Sequence, residues 1–210
     1  MRFIISFLAS LFFITGAQAK DIQTAIFAGG CFWCVEKDME SLKGVLSAVS
    51  GFSGGSAETA DYKTVTKKNT EHREAVLVTF DADVISYEML VDVFFRSIDP
   101  HDAFGSFCDR GSSYRTAIFA TEDQQPVAKA VKTKLAKTLD EDIYMPILPA
   151  VASYEADSYH QDYYKSDEKV LTRFGLITKA NAYKRYRKGC GRDARVKEVW
   201  GKRAAFAWKN

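Results

Sequence analysis

The sequence predicts a two-layer α+β domain, a mixed sheet with helices packed against it. Three observations carry this prediction. Short apolar runs with β-type alternation recur along the chain, and amphipathic helical patterns fall between them. Helices and strands alternate, although the strands are few and short. Long polar stretches separate several elements, and neither an internal repeat nor a low-complexity segment occurs in the 210 residues.

The chain opens with Arg2, an apolar run from Phe3 to Ile14, and the small-x-small triplet Ala17-Gln18-Ala19. This pattern predicts a signal peptide over residues 1–19, cut after Ala19. The run is too short to span a bilayer comfortably, and no second such run follows, so no stable membrane insertion is expected after cleavage. The expected mature protein is a single domain, 20–210, exported to a bacterial-type periplasm. The chain carries 29 Lys+Arg and 27 Asp+Glu, net +2. Removing Arg2 leaves +1, a balance that gives no push toward nucleic acid.

Thr24 to Ala28 reads as a strand that runs into Gly29-Gly30 and then Cys31-Phe32-Trp33-Cys34. Val35, Met39 and Leu42 follow at helical spacing, which places Cys31 in the first turn of a helix. Residues 50–70, rich in Gly, Ser, Thr, Lys and Asn, read as a long loop. Glu74 to Phe80 is a strand with Val76, Val78 and Phe80 on one face. Ser86 caps a helix to about Ile98, whose apolar residues recur at i, i+3, i+4 and i+7, and Asp99-Pro100 ends it. Residues 100–113 form a second loop, and Tyr114 to Ala120 a strand. Thr121 with Gln124 forms a capping box that opens a helix to about Leu139. Met145 to Ala152 is a weaker strand and Ser158 to Ser166 a short helix. The tail 183–210 is basic and aromatic, interrupted by Gly189-Cys190-Gly191, and is expected to be a solvated face packed by Tyr183, Tyr186 and Trp200.

The chemistry concentrates at Cys31. A helix N-terminus stabilises an anion, and low-pKa thiolates are found in such places. Phe32 and Trp33 give that thiol an apolar wall. Glu74, at a strand end, is a candidate acid if desolvated, although a solvated charge is the simpler expectation there. Tyr62 in the polar loop, and Asp109 followed by Tyr114, are further polar candidates. His72, His101 and His160 are widely spaced, and only one C-x-x-C pair exists, so neither a metal site nor any other cofactor is expected.

Taken together, these residues resemble the type A peptide methionine sulfoxide reductases. The matching stretches are Gly30 to Trp33, Gly51 to Gly55, Tyr62, Glu71 to Ala75, Asp81, Ile85 to Tyr87, Phe94-Phe95, Asp99-Pro100, Asp109 to Arg115 and Tyr159 to Gln161. They cover residues 24–201. The resemblance implies a ferredoxin-like α/β plait and reduction of methionine S-sulfoxide, free or in oxidised proteins. It makes Cys31 the nucleophile and Glu74 the acid that protonates the sulfoxide oxygen. Tyr62, Asp109 and Tyr114 hold that oxygen, and Phe32 and Trp33 receive the S-methyl group. A sulfenic acid would form on Cys31 and be resolved as a disulfide. Cys190, flanked by glycines and basic residues, is the first choice for that step and Cys34 the rival, with Cys108 as a third thiol able to pass electrons on. A thioredoxin-like reductant would close the cycle. The chain departs from the commonest family pattern at Cys34, Glu71, Cys108 and Ser113.

Two other readings fit parts of the sequence. One is a thioredoxin-type oxidoreductase using Cys31 and Cys34, which leaves Glu74, Tyr62 and Tyr114 without a role. The other is an exported binding protein with structural disulfides.

Overall fold

A computed structural model describes residues 20–67 and 70–207. The expected signal peptide lies outside the described residues. Among these residues no helix is long and apolar enough to cross a membrane.

A six-stranded mixed sheet forms the centre. Strand β1 (Ile22–Ala28) leads into helix α1 (Phe32–Glu40), then β2 (Val45–Ser53), a short helix α2 (Tyr62–Lys67) and β3 (Arg73–Asp81). Helix α3 (Tyr87–Phe95), the two-residue strands β4 (Gly105–Ser106) and β5 (Asp109–Arg110), strand β6 (Ala117–Ala120) and helix α4 (Gln124–Leu139) follow. Strands β7 (Ile147–Pro149) and β8 (Ser153–Glu155) complete the sheet, in the order β7-β6-β1-β3-β2-β8. All neighbours are antiparallel except β6 and β7. The hairpin β9 (Lys169–Thr172) and β10 (Gly175–Thr178) and the helices α5 (Lys179–Cys190) and α6 (Arg192–Trp200) wrap the tail over one end.

The period-2 pattern of β3 puts Val76, Val78 and Phe80 into the main core, against Phe27, Val35, Met39, Leu90 and Phe94. The opposite face carries a small cluster of Ala28, Ala75, Ala117 and Phe119. Two expected caps are present. Ser86 Oγ accepts from the Met89 N–H. Thr121 and Gln124 exchange side-chain and backbone bonds at 3.3 Å each, closing the capping box.

Three local expectations are overturned. The stretch 50–70 is not one loop: its first residues continue β2, and Tyr62–Lys67 is helical. Its loop-like composition has a packing cause. A Cβ on Gly51 would lie 2.2 Å from the Tyr154 carbonyl oxygen of β8, and Ser50 is buried with its hydroxyl on Glu36. The strand there must be made of small residues. The expected helix 158–166 is a series of turns, because Asp162 takes a left-handed φ of 55°. The tail is packed by Tyr183 and Trp200 as expected, but it is not solvated throughout. It forms two helices broken at Gly191 (φ 72°), and its Arg187 and Arg192 are buried.

Candidate active site

Strand β1 delivers the chain to Gly29 and Gly30, and the turn they make decides where the first cysteine sits. Gly30 has φ 82°, and a Cβ there would come within 2.5 Å of Ser106 Cβ, so this position requires glycine. Cys31 then occupies the N-cap of α1 and Cys34 lies one turn along, its N–H bonded to the Cys31 carbonyl. Both are free thiols, Cys34 buried and Cys31 partly exposed.

Glu74 enters from β3. It shares the face of Val76, Val78 and Phe80, is 2% exposed, and its Oε2 accepts the Phe32 N–H at 3.0 Å. That N–H belongs to the first turn of α1, which has no intrahelical partner for it. Burial pushes the Glu74 carboxyl up to about 8, against the lowering effect of the Phe32 bond. The group is therefore an acid at neutral pH, and the expectation of a solvated strand-end charge does not hold.

The two thiols share a hydrogen bond, and it separates them. Cys34 is lowered to about 7, first by the bond from Cys31 and then by the Arg192 and Arg187 guanidiniums. Cys31 is raised, first by that same bond and then by burial, with Glu74 and Asp109 adding to it. The two sulfurs thus share one proton, and the Arg192 and Arg187 guanidiniums draw the negative charge toward the Cys34 side.

A cavity of about 590 Å³ opens over these groups. All the residues expected at the site line it: Cys31, Cys34, Phe32, Trp33, Tyr62, Glu74, Asp109, Tyr114 and Cys190. Burial raises the hydroxyls of Tyr62 and Tyr114, which remain proton donors, and raises the Asp109 carboxyl against the pull of Arg192. The apolar wall is larger than the sequence indicates. Trp33 stacks on Tyr163 at 3.7 Å between ring centres, and His160 sits 4.3 Å from Tyr62 and 5.2 Å from Phe32. His160 is held neutral by burial. Its signal was the pair Tyr159-His160 followed by Tyr163-Tyr164, an aromatic cluster in a polar stretch.

Two buried arginines were also missed. Arg187 bonds both oxygens of Asp38 at 3.0 Å, as well as Asp193 and the Tyr183 hydroxyl. Arg192 donates to the Gly29 and Ser97 carbonyls. Their sequence signal was only that they flank Cys190.

The cysteine first in line to resolve Cys31 is engaged elsewhere. Cys190 forms a disulfide with Cys108, with Cα atoms 5.0 Å apart. The thiol in contact with Cys31 is Cys34. The Cys108, Asp109 and Cys190 side chains lie within 4.8 Å of one another, but the disulfide occupies both sulfurs and leaves no pair of thiolates for a metal ion.

A sequence model described as "Peptide methionine sulfoxide reductase" matches residues 23–201. The chain belongs to this family. As a peptide-methionine sulfoxide reductase it is an oxidoreductase that acts in methionine sulfoxide reduction and the repair of oxidised proteins. It is 43% identical to the peptide methionine sulfoxide reductase MsrA 2 of Caulobacter vibrioides, over 96% of this chain and 100% of that protein. It is also 43% identical to the MsrA of Bacillus subtilis, over 88% of this chain and 98% of that one. The reductase fold is similar to two solved structures. One is Mxr1 of Saccharomyces cerevisiae in reduced form, with TM-score 0.64 and 26% identity over 75% of this chain and 92% of that one. The other is methionine sulfoxide reductase A of Corynebacterium diphtheriae, with TM-score 0.60 and 27% identity over 70% of this chain and 75% of that one.

Proposed function

We propose that Cys31 reduces methionine S-sulfoxide, with Glu74 as the acid and Cys34 as the resolving thiol. The observation that carries this reading is a buried, protonated carboxyl held against the first turn of the helix that presents the thiol. A sulfoxide oxygen is a poor leaving group, and protonation makes its sulfur electrophilic. Phe32 and Trp33 receive the S-methyl group, while the Tyr62 and Tyr114 hydroxyls and Asp109 surround the oxygen. As Cys31 attacks, its proton passes along the shared bond to Cys34. Cys31 Sγ bonds the sulfoxide sulfur, the oxygen protonated by Glu74 is then transferred to Cys31 as that sulfur–sulfur bond and the methionine sulfur–oxygen bond break, and methionine leaves with Cys31 oxidised to a sulfenic acid. Attack by the Cys34 sulfur on Cys31 then forms a disulfide and expels water.

The Cys108–Cys190 disulfide lines the same cavity and has an exposed edge at Cys108. It supports entry of electrons from a thioredoxin-like reductant at that point. The β1-α1-β2-β3-α3-β6 core, with strand order β6-β1-β3-β2, supports a ferredoxin-like plait. Arg2, the apolar run behind it and Ala17-Gln18-Ala19 support export to a periplasm.

The test is mass spectrometry of the reduced protein mixed with one equivalent of methionine S-sulfoxide. One methionine with a Cys31–Cys34 disulfide is expected. A Cys31–Cys190 disulfide would return the resolving role to Cys190, and absence of methionine would overturn the reading.

A further inference from the structure

The β9–β10 hairpin presents two leucines to solvent beside the catalytic cavity. Leu171 is 84% exposed and Leu176 66% exposed, and they are direct cross-strand partners on one face. The opposite face of the hairpin is anchored: Val170 and Ile177 pack against Cys34, Tyr163 and Tyr183. The turn is tied by Thr172, whose hydroxyl accepts from the Phe174 N–H and donates to the Gly175 carbonyl. A leucine pair on a fixed scaffold differs from one on a loose loop, because its position costs no ordering when a partner arrives.

This face is continuous with the cavity. Leu171, Thr172 and Arg173 line the same space as Cys31 and Glu74. Beyond the leucines, at the turn, the Arg173 guanidinium lies 4.9 Å over the Phe174 ring and 5.0 Å over Tyr186, and Arg185 lies 5.4 Å over Phe174. From Cys31 outward the surface therefore changes from a cavity lined by both aromatic and polar groups to a leucine step with a cationic edge.

We propose that this hairpin face binds the polypeptide that flanks the oxidised methionine. It selects an extended segment with apolar side chains next to the sulfoxide and an acidic residue beyond them. A residue whose side chain enters the cavity must lead its main chain out across the rim, and the rim on this side is Leu171. The proposal rests on the reductase reading and adds to it which oxidised sites are repaired first.

The test uses binding, so that it does not depend on turnover. Cys31→Ser protein is titrated with fluorescent blocked peptides of one length, each with a central methionine S-sulfoxide. Flanks are leucine or serine, and ends glutamate or lysine. Leucine-flanked, glutamate-ended peptides should bind about tenfold tighter than serine-flanked ones, the scale of a modest apolar contact. Adding Leu171→Ser and Leu176→Ser, both outside the core, should bring the ratio close to one. An unchanged ratio in that variant overturns the proposal. Equal binding of glutamate- and lysine-ended peptides overturns its cationic part. Loss of thioredoxin-driven recycling in the leucine variants, with the peptide ratio intact, assigns the face to the reductant and also overturns it. Turnover of free methionine S-sulfoxide by the unaltered protein tests the reductase reading separately.

Discussion

The Phe32 backbone N–H donates to Glu74 Oε2 at 3.0 Å, so the residue after the nucleophile holds the acid. The bond does more than position the side chain. With Oε2 accepting, the proton of the neutral carboxyl belongs on Oε1, the oxygen free to face the substrate.

Replacing Glu74 with Gln should lower kcat by about 10²–10⁴-fold, the range of a general acid. The amide keeps the Phe32 bond, so substrate affinity should change little. Steady-state kinetics with methionine S-sulfoxide checks this, and an unchanged kcat would remove Glu74 from the reaction.

The pH profile of kcat/KM should be bell-shaped. Activity rises as Cys34 loses its proton at about 7 and falls as Glu74 loses its own at about 8. A narrow optimum between these values is expected. Glu74→Gln should abolish the alkaline limb while retaining the acid limb.

Among the cysteine variants, Cys34→Ser should release one methionine and stop with Cys31 as a sulfenic acid, trapped by dimedone and seen by mass spectrometry. Cys190→Ser should still form the Cys31–Cys34 disulfide, losing only efficient recycling. Cys31→Ser should release no methionine.

Stability should fall as pH rises through the neutral range. Buried Glu36 is raised to about 7 and Glu74 to about 8, whereas an unfolded Glu titrates near 4.3. Both groups bind protons more tightly when folded. Their contribution is fully present below about 4.3 and is lost progressively as pH approaches 7 and then 8. Denaturant midpoints measured from pH 4.5 to 8.5 should decline, and Glu36→Gln should flatten the slope.

Arg187→Met should destabilise the fold by about 3 kcal/mol, because it leaves the buried Asp38 carboxylate only the longer contacts to Lys37 at 3.7 Å and Arg192 at 3.9 Å. Urea unfolding measures this. Asp38→Asn combined with Arg187→Met should recover part of the loss.

Much of the site was legible because its residues follow simple periods. Cys31 is marked by two glycines and a helical pattern. Glu74 shares parity with Val76, Val78 and Phe80, so its burial was available in the strand itself, although a carboxylate at a strand end reads first as solvated. The two-layer α+β character followed from the strand and helix patterns. What was not legible depended on distant partners. Ser50 and Gly51 read as loop residues until Tyr154 of another strand approaches them. Arg187 reads as a surface cation until Asp38, 149 positions away, meets it. The order in which cysteines meet also depends on where the tail folds back: flanking glycines and basic residues pointed to Cys190, whereas spacing pointed to Cys34.

The disulfide between Cys108 and Cys190 closes a span of 82 residues that includes β6, α4 and α5, the first of the two tail helices. A covalent loop of that size removes about 4–5 kcal/mol of chain freedom from the unfolded state. Every opening of this bond by a reductant therefore leaves the molecule easier to melt and to cleave until it closes again. The fraction of the protein that survives heat or protease becomes a record of the redox state it last occupied.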